Sequence, residues 1–234
     1  MKNKKLLSSK IIETIKNLHF RIEERFPGSG LAELCGKLHK VSQKTDKTIN
    51  WIEKPNYLLR IFFVVVIASI IMTLSLTIQE LGFKFTTFTL PEFIQVFEAG
   101  LNAVFLVGAV FVFLFTVETR RKRKRIVIAI NHLRSIAHII DAHQLTKDPD
   151  EYSKVSVRTA HSPTHHLSKY ELCRYLDYCS EMLSLTSKVA FLYTQNFDDP
   201  VSQNAINELE SLTTGLSRKI WQKIMVAKLY DDIR

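Results

Sequence analysis

Two groups of side chains in this sequence have types and spacings that chemistry can use: imidazoles beside carboxylates, and polar groups inside apolar runs. His138, Asp141, His143, His161, His165 and His166 crowd into one stretch, and imidazole and carboxylate are both metal ligands and proton carriers. Spacing tests that idea. Arg134, His138 and Asp141 share a helix face at steps of four and three, which sets His138 between a cation and an anion. His143 points roughly opposite His138. His161 and His165 are four residues apart, but Pro163 stands between them in a segment without period. No HExxH arrangement, paired HD or Cys-rich zinc spacing accompanies them. The pattern favours a structural ion-pair face plus a solvated loop, with a metal or catalytic site at His138, Asp141, His161 and His165 as the alternative. No catalytic residue, metal or cofactor is assigned from it.

The polar residues in apolar runs raise a different chemistry. Ser69, Thr73 and Thr77 recur every four residues, and Gln95, Glu98 and Asn102 line one helix face. Polar groups facing lipid are costly, so these faces are expected to turn toward another helix or toward water. They read as pore-lining or interhelix polar residues, and Ser and Thr can also bond carbonyls of their own helix.

The elements that position these residues are two uncharged runs, residues 61–79 and 99–117, each 19 residues long. At ~1.5 Å per helical residue, each nearly crosses a hydrocarbon core of roughly 30 Å. Tyr57 and Arg60 edge the first run, as an interfacial ring and a snorkelling cation. Directly after the second run come Arg120, Arg121, Lys122, Arg123, Lys124 and Arg125. This abrupt change of charge reads as a membrane exit whose cations meet anionic lipid headgroups.

Dividing the net charge of +9 by region sharpens the picture. Residues 1–56 carry +6, residues 57–118 carry −2, and residues 119–234 carry +5, which becomes −1 without the basic run. The excess lies near the spans and not over a folded domain, which argues against a nucleic-acid binder. The connection between the spans holds Lys84 as its single basic residue, so the positive-inside rule sets both termini in the cytosol. In that connection Phe83, Phe85, Phe88 and Leu90 alternate with polar residues, as a short extended piece would.

Outside the spans the apolar positions keep helical period. Leu7, Ile11, Ile15, Leu18, Ile22 and Phe26 make one stripe, and Leu31, Leu34, Leu38, Val41, Thr45, Ile49 and Ile52 a second. Both are expected to pack on the C-terminal helices, with a membrane-surface hairpin as the alternative. Ser168 with Glu171 forms a capping-box start, and Asp198-Asp199-Pro200 supplies a short turn, an N-cap candidate and a proline suited to the first helical position. The short connection between the last two helices requires them to be antiparallel.

The expected fold is therefore an all-α integral membrane protein. Its parts are cytosolic N-terminal helices (1–56), a first span (57–79), a short outer loop (80–91), a second span (92–118), a basic juxtamembrane and cytosolic helix (119–147), a loop (148–167) and a cytosolic hairpin (168–234). Gly215 interrupts an otherwise strong helical pattern and reads as a close helix approach or a hinge. Trp221, beside Arg218, Lys219 and Lys223, reads first as a buried indole and second as a binding surface. Cys35, Cys173 and Cys179 fit neither a disulfide framework nor a closed zinc site and are expected to be reduced. No phosphate loop, dinucleotide fingerprint or nucleophile elbow occurs.

In its layout of cytosolic N-terminal helices, two spans and a cytosolic helical tail, the chain resembles the two-transmembrane SLATT-type effectors of bacterial defence systems. The resemblance implies a bacterial inner-membrane protein that oligomerises and perturbs the membrane, and it assigns no residues. The leading functional expectation is a non-enzymatic, two-pass, self-associating membrane protein. Its spans would form a pore or membrane-perturbing element controlled by the cytosolic bundle. A membrane-anchored scaffold recruiting a cytosolic protein is the second reading, and a tethered metal-dependent enzyme using His138 and Asp141 is the third.

Overall fold

The first stripe forms a helix because its apolar residues recur every three or four positions without a breaker between them. In a computed structural model describing residues 2–55, 57–80, 90–152, 160–162, 167–195 and 197–229, this helix is α1 (Lys2–Arg25). It stops before Gly28, whose φ of +66° is a left-handed conformation that glycine adopts without steric cost. Ser29 then caps α2 (Gly30–Glu53), its Oγ accepting from the Ala32 N–H at 3.2 Å. α3 (Tyr57–Glu80), α4 (Leu90–Leu145), a 3-10 turn (Pro149–Tyr152), α5 (Lys169–Phe191) and α6 (Pro200–Leu229) follow. Among the described residues there is no strand.

Local signals set the later helix starts. Ser168 Oγ accepts from the Glu171 N–H at 3.3 Å while the Glu171 carboxylate accepts from the Ser168 N–H at 2.7 Å, completing the capping box. Asp199 caps α6 by accepting from the Ser202 N–H at 2.9 Å. The expected extended piece at Phe83, Phe85 and Phe88 lies outside the described residues, and Leu90 opens α4. Much of the expected loop at 148–167 also lies outside them, while its first part forms the 3-10 turn.

The chain divides into two compact units, Met1–Glu53 with Arg123–Arg234, and Lys54–Lys122. In the first unit α1, α2, the last part of α4, α5 and α6 share one apolar core. Ile15, Leu31, Ile130, Leu176 and Ile220 are among its fully buried members. Apart from Leu7, which is 42% exposed, both N-terminal stripes thus face protein. Arg21 forks onto Glu181 with two bonds of 3.0 Å, and Phe26 meets Tyr175 and Tyr178 edge-on, which ties α1 to α5.

The second unit is built the other way round. In α3, Ile61, Phe62 and Val65 are exposed, and in α4 so are Phe93, Phe97, Phe105, Phe113 and Phe115. Phe63 and Phe111 touch at a ring separation of 5.5 Å. Of the two expected spans, length and composition among the described residues single out α4 as able to cross a membrane. The stretch Arg60–Thr73 of α3 is shorter.

Candidate functional site at the basic segment of α4

Six consecutive cations on a helix point all around its axis, so they cannot serve a single surface. Lys122 turns back one turn to Glu118, Nζ to Oε1 at 2.7 Å. Arg123 donates through Nε and Nη2 to both carboxylate oxygens of Asp199 at 2.6 to 3.1 Å. The Arg125 guanidinium lies 3.7 Å from the centre of the Trp51 ring, a close cation–π stack. Arg120, Arg121 and Lys124 are exposed, as is Arg125 on its ring. The segment expected to anchor headgroups therefore divides into three cations with protein partners and three facing outward.

Asp199 is the most enclosed member of this group, with its side chain 2% exposed against 36% for Arg123. Burial alone would push its pKa up, because a desolvated carboxylate is costly. The bonds from Arg123, and from the Ser202 N–H and hydroxyl at 2.9 and 2.8 Å, outweigh that and hold it below its ordinary 3.8. The same hydrogen bond raises the pKa of Arg123.

Two further ties join α4 to α6. Arg134 Nη2 donates to Glu208 Oε2 at 2.7 Å. Lys223 Nζ donates to two main-chain oxygens where α4 ends, that of Gln144 at 2.8 Å, which also accepts from the Lys147 N–H at 3.1 Å, and that of Lys147, just past the helix, at 3.3 Å. Burial lowers the Lys223 pKa against the pull of Asp148 and Asp141. Partners ascend together from 123 with 199 to 144 with 223, so α4 and α6 run parallel within the bundle.

The imidazole stretch does not converge. His138 is exposed, and the cation expected beside it, Arg134, is engaged by Glu208 and Asn131. Asp141 accepts from Gln144 Nε2 at 2.7 Å. His161 lies exposed in a turn, and His165 and His166 fall outside the described residues. Among the described residues no group of three or more His, Cys, Asp or Glu is placed to hold a metal ion. His143 packs on Gly30, where a Cβ would come within 2.6 Å of its ring. Burial and Lys147 lower its pKa, with Glu33 opposing.

Ser69 and Thr73 are exposed, and Thr73 Oγ1 donates to the Ser69 carbonyl of its own helix at 2.7 Å. The Thr77 side chain falls outside the description. Gln95, Glu98 and Asn102 are all exposed on α4. Trp221, expected to be buried, is 62% exposed because Ile220 takes the core position and the next residue turns ~100° away. Trp51 and Lys223 were missed as partners. Asp199 was legible as a helix cap and not as the counter-ion of Arg123. Compared with protein-family models, with curated proteins and with solved structures, the chain finds no match.

Proposed function

We propose that the chain is a non-enzymatic, two-pass integral membrane protein that self-associates. Its termini and helical bundle lie in the cytosol, and spans from several copies form a pore or membrane-perturbing element under the bundle's control. The observation that carries this reading is the exposed apolar surface of the described residues of α3 and of α4 as far as Phe115. Hydrocarbon is a medium in which Ile61, Phe62, Phe105, Phe113 and Phe115 can all face outward without cost. The charge asymmetry supports the orientation. The uncovered face of Gln95, Glu98 and Asn102 supports several copies, since a neighbouring copy would shield or hydrate it. Arg120, Arg121 and Lys124 support headgroup contact, at roughly 1 kcal/mol per cation.

Retention in the membrane after alkaline carbonate extraction, with both termini reached by protease from the cytosolic side alone, is the expected result. Release into the supernatant would overturn membrane integration. Reconstituted into liposomes, the protein should pass ions, and Glu98→Gln and Asn102→Ala should change the conductance. A monomeric mass in detergent together with impermeable liposomes would overturn the pore.

A further inference from the structure

Gly215 stands at the middle of α6, where only proline is a poorer helix former than glycine. Among the described residues a Cβ built there meets nothing within 4 Å, and the backbone is ordinary helix, so none of them uses the missing side chain. The positions seven and fourteen residues to either side, Val201, Glu208, Gln222 and Leu229, are exposed like Gly215 itself. Together they make one stripe along α6. Its chemistry is symmetric about the glycine: Val201 and Leu229 are apolar ends, while Glu208 and Gln222 are an acceptor and an amide donor. Its flanking charge is antisymmetric. Glu208 and Glu210 are the only charged residues from 200 to 214, and Arg218, Lys219, Lys223 and Lys228 the only ones from 216 to 229.

A helix with this pattern complements itself turned end for end. We infer that α6 is the surface on which a second copy of this chain docks, antiparallel about a two-fold axis at Gly215. Val201 of one copy then meets Leu229 of the other, and Glu208 meets Gln222. A seven-residue repeat keeps two helices in contact at a crossing of about 20°. The missing side chain at the crossing lets the axes approach to the close end of the usual range, ~8 Å. Such a contact uses the same patch on both copies and closes at two. The ion pair with Arg134 leaves the Glu208 side chain 69% exposed, with lone pairs to spare for the Gln222 amide.

The exposed apolar side chains on or beside the stripe are Val201, Met225, Val226 and Leu229, a small area. The contact is accordingly weak between free molecules and is strengthened by a shared membrane, which holds copies at high effective concentration. In this it rests on the self-association proposed above.

The test is cysteine crosslinking of the full chain in native membranes, with Cys173→Ser introduced so that only the buried Cys35 and Cys179 remain. Glu208→Cys and Gln222→Cys are made singly and together. In one chain the two positions are ~21 Å apart along α6, beyond disulfide reach, so any bond joins two copies. Under mild oxidation the double variant should give a covalent dimer and each single variant none. Adding Gly215→Leu should cut the yield roughly tenfold, the effect of a clash worth ~1.4 kcal/mol. Dimers from the single variants would mean parallel pairing and overturn the inference. Absence of crosslinks with an oligomeric mass in detergent would place self-association on another face, overturning this inference alone. A monomeric mass throughout would overturn both.

Discussion

Arg123 grips the carboxylate of Asp199, 76 residues further along the chain, with three contacts of 2.6 to 3.1 Å. That carboxylate also caps α6 through Ser202. One acidic group thus fixes where α6 begins and which residue of α4 it begins beside.

Asp199→Ala removes both roles and should destabilise the bundle by at least about 1 kcal/mol, the worth of the cap alone. Asp199→Asn keeps an acceptor for the cap and breaks the ion pair, so it should fall between wild type and alanine. Thermal melts followed by far-ultraviolet circular dichroism in detergent would rank the three. Equal melting of wild type and alanine would show that neither role contributes.

Acid should act through the same residue. A carboxyl held below its ordinary 3.8 in the folded chain contributes stability that is complete above that value. This contribution is lost as pH falls through the lower, folded value. Wild type should therefore lose stability below about pH 4 more steeply than Asp199→Ala. Glu33, held low by Lys37, and Glu171, held low by Ser168, titrate in the same window in both proteins. The difference between the two curves consequently reads Asp199.

Base should act through two thiols. Burial pushes Cys35 and Cys179 from an ordinary 9.0 up to about 12. The stability they contribute is present below 9.0 and lost as pH climbs toward 12. The same burial should hide both from a thiol reagent at about pH 8, leaving half-buried Cys173 to react. Three thiols should titrate after denaturation. Fast labelling of more than one in the folded chain would contradict their burial.

Lys223→Met keeps the aliphatic stem and removes the donor from the Gln144 and Lys147 carbonyls. The expected loss is about 1 to 2 kcal/mol, the lower part of the range for charged donors, because burial of the amine opposes the bond. Hydrogen exchange should quicken at the last turn of α4, and Lys223→Arg should restore part of the protection. Unchanged exchange there would mean that water serves those carbonyls equally well.

Signals that act over a few residues were legible in the sequence. The Ser168–Glu171 box, the Asp199–Pro200 start and the apolar stripes each depend on neighbours within two helical turns, and each is in place except for Leu7 at the head of the first stripe. What escaped is set by which helix faces which. Arg134 shares a face with His138 and Asp141, yet its guanidinium goes to Glu208 on another helix. The basic run looked uniform because charge alone does not reveal that Trp51 and Asp199 lie beside two of its members. Trp221 faces outward because Ile220 fills the core position in that turn, a relation the stripe spacing already contains.

The parallel course of α4 and α6 has a mechanical consequence. Two rods touching side by side slide past one another when either is flexed. Tied at Arg123–Asp199, Arg134–Glu208 and Lys223–Gln144, they resist sliding and flex more nearly as one beam. Stiffness then grows with the depth of the pair, so a push at one end of this beam arrives at the other as tilt and is not lost to flexure.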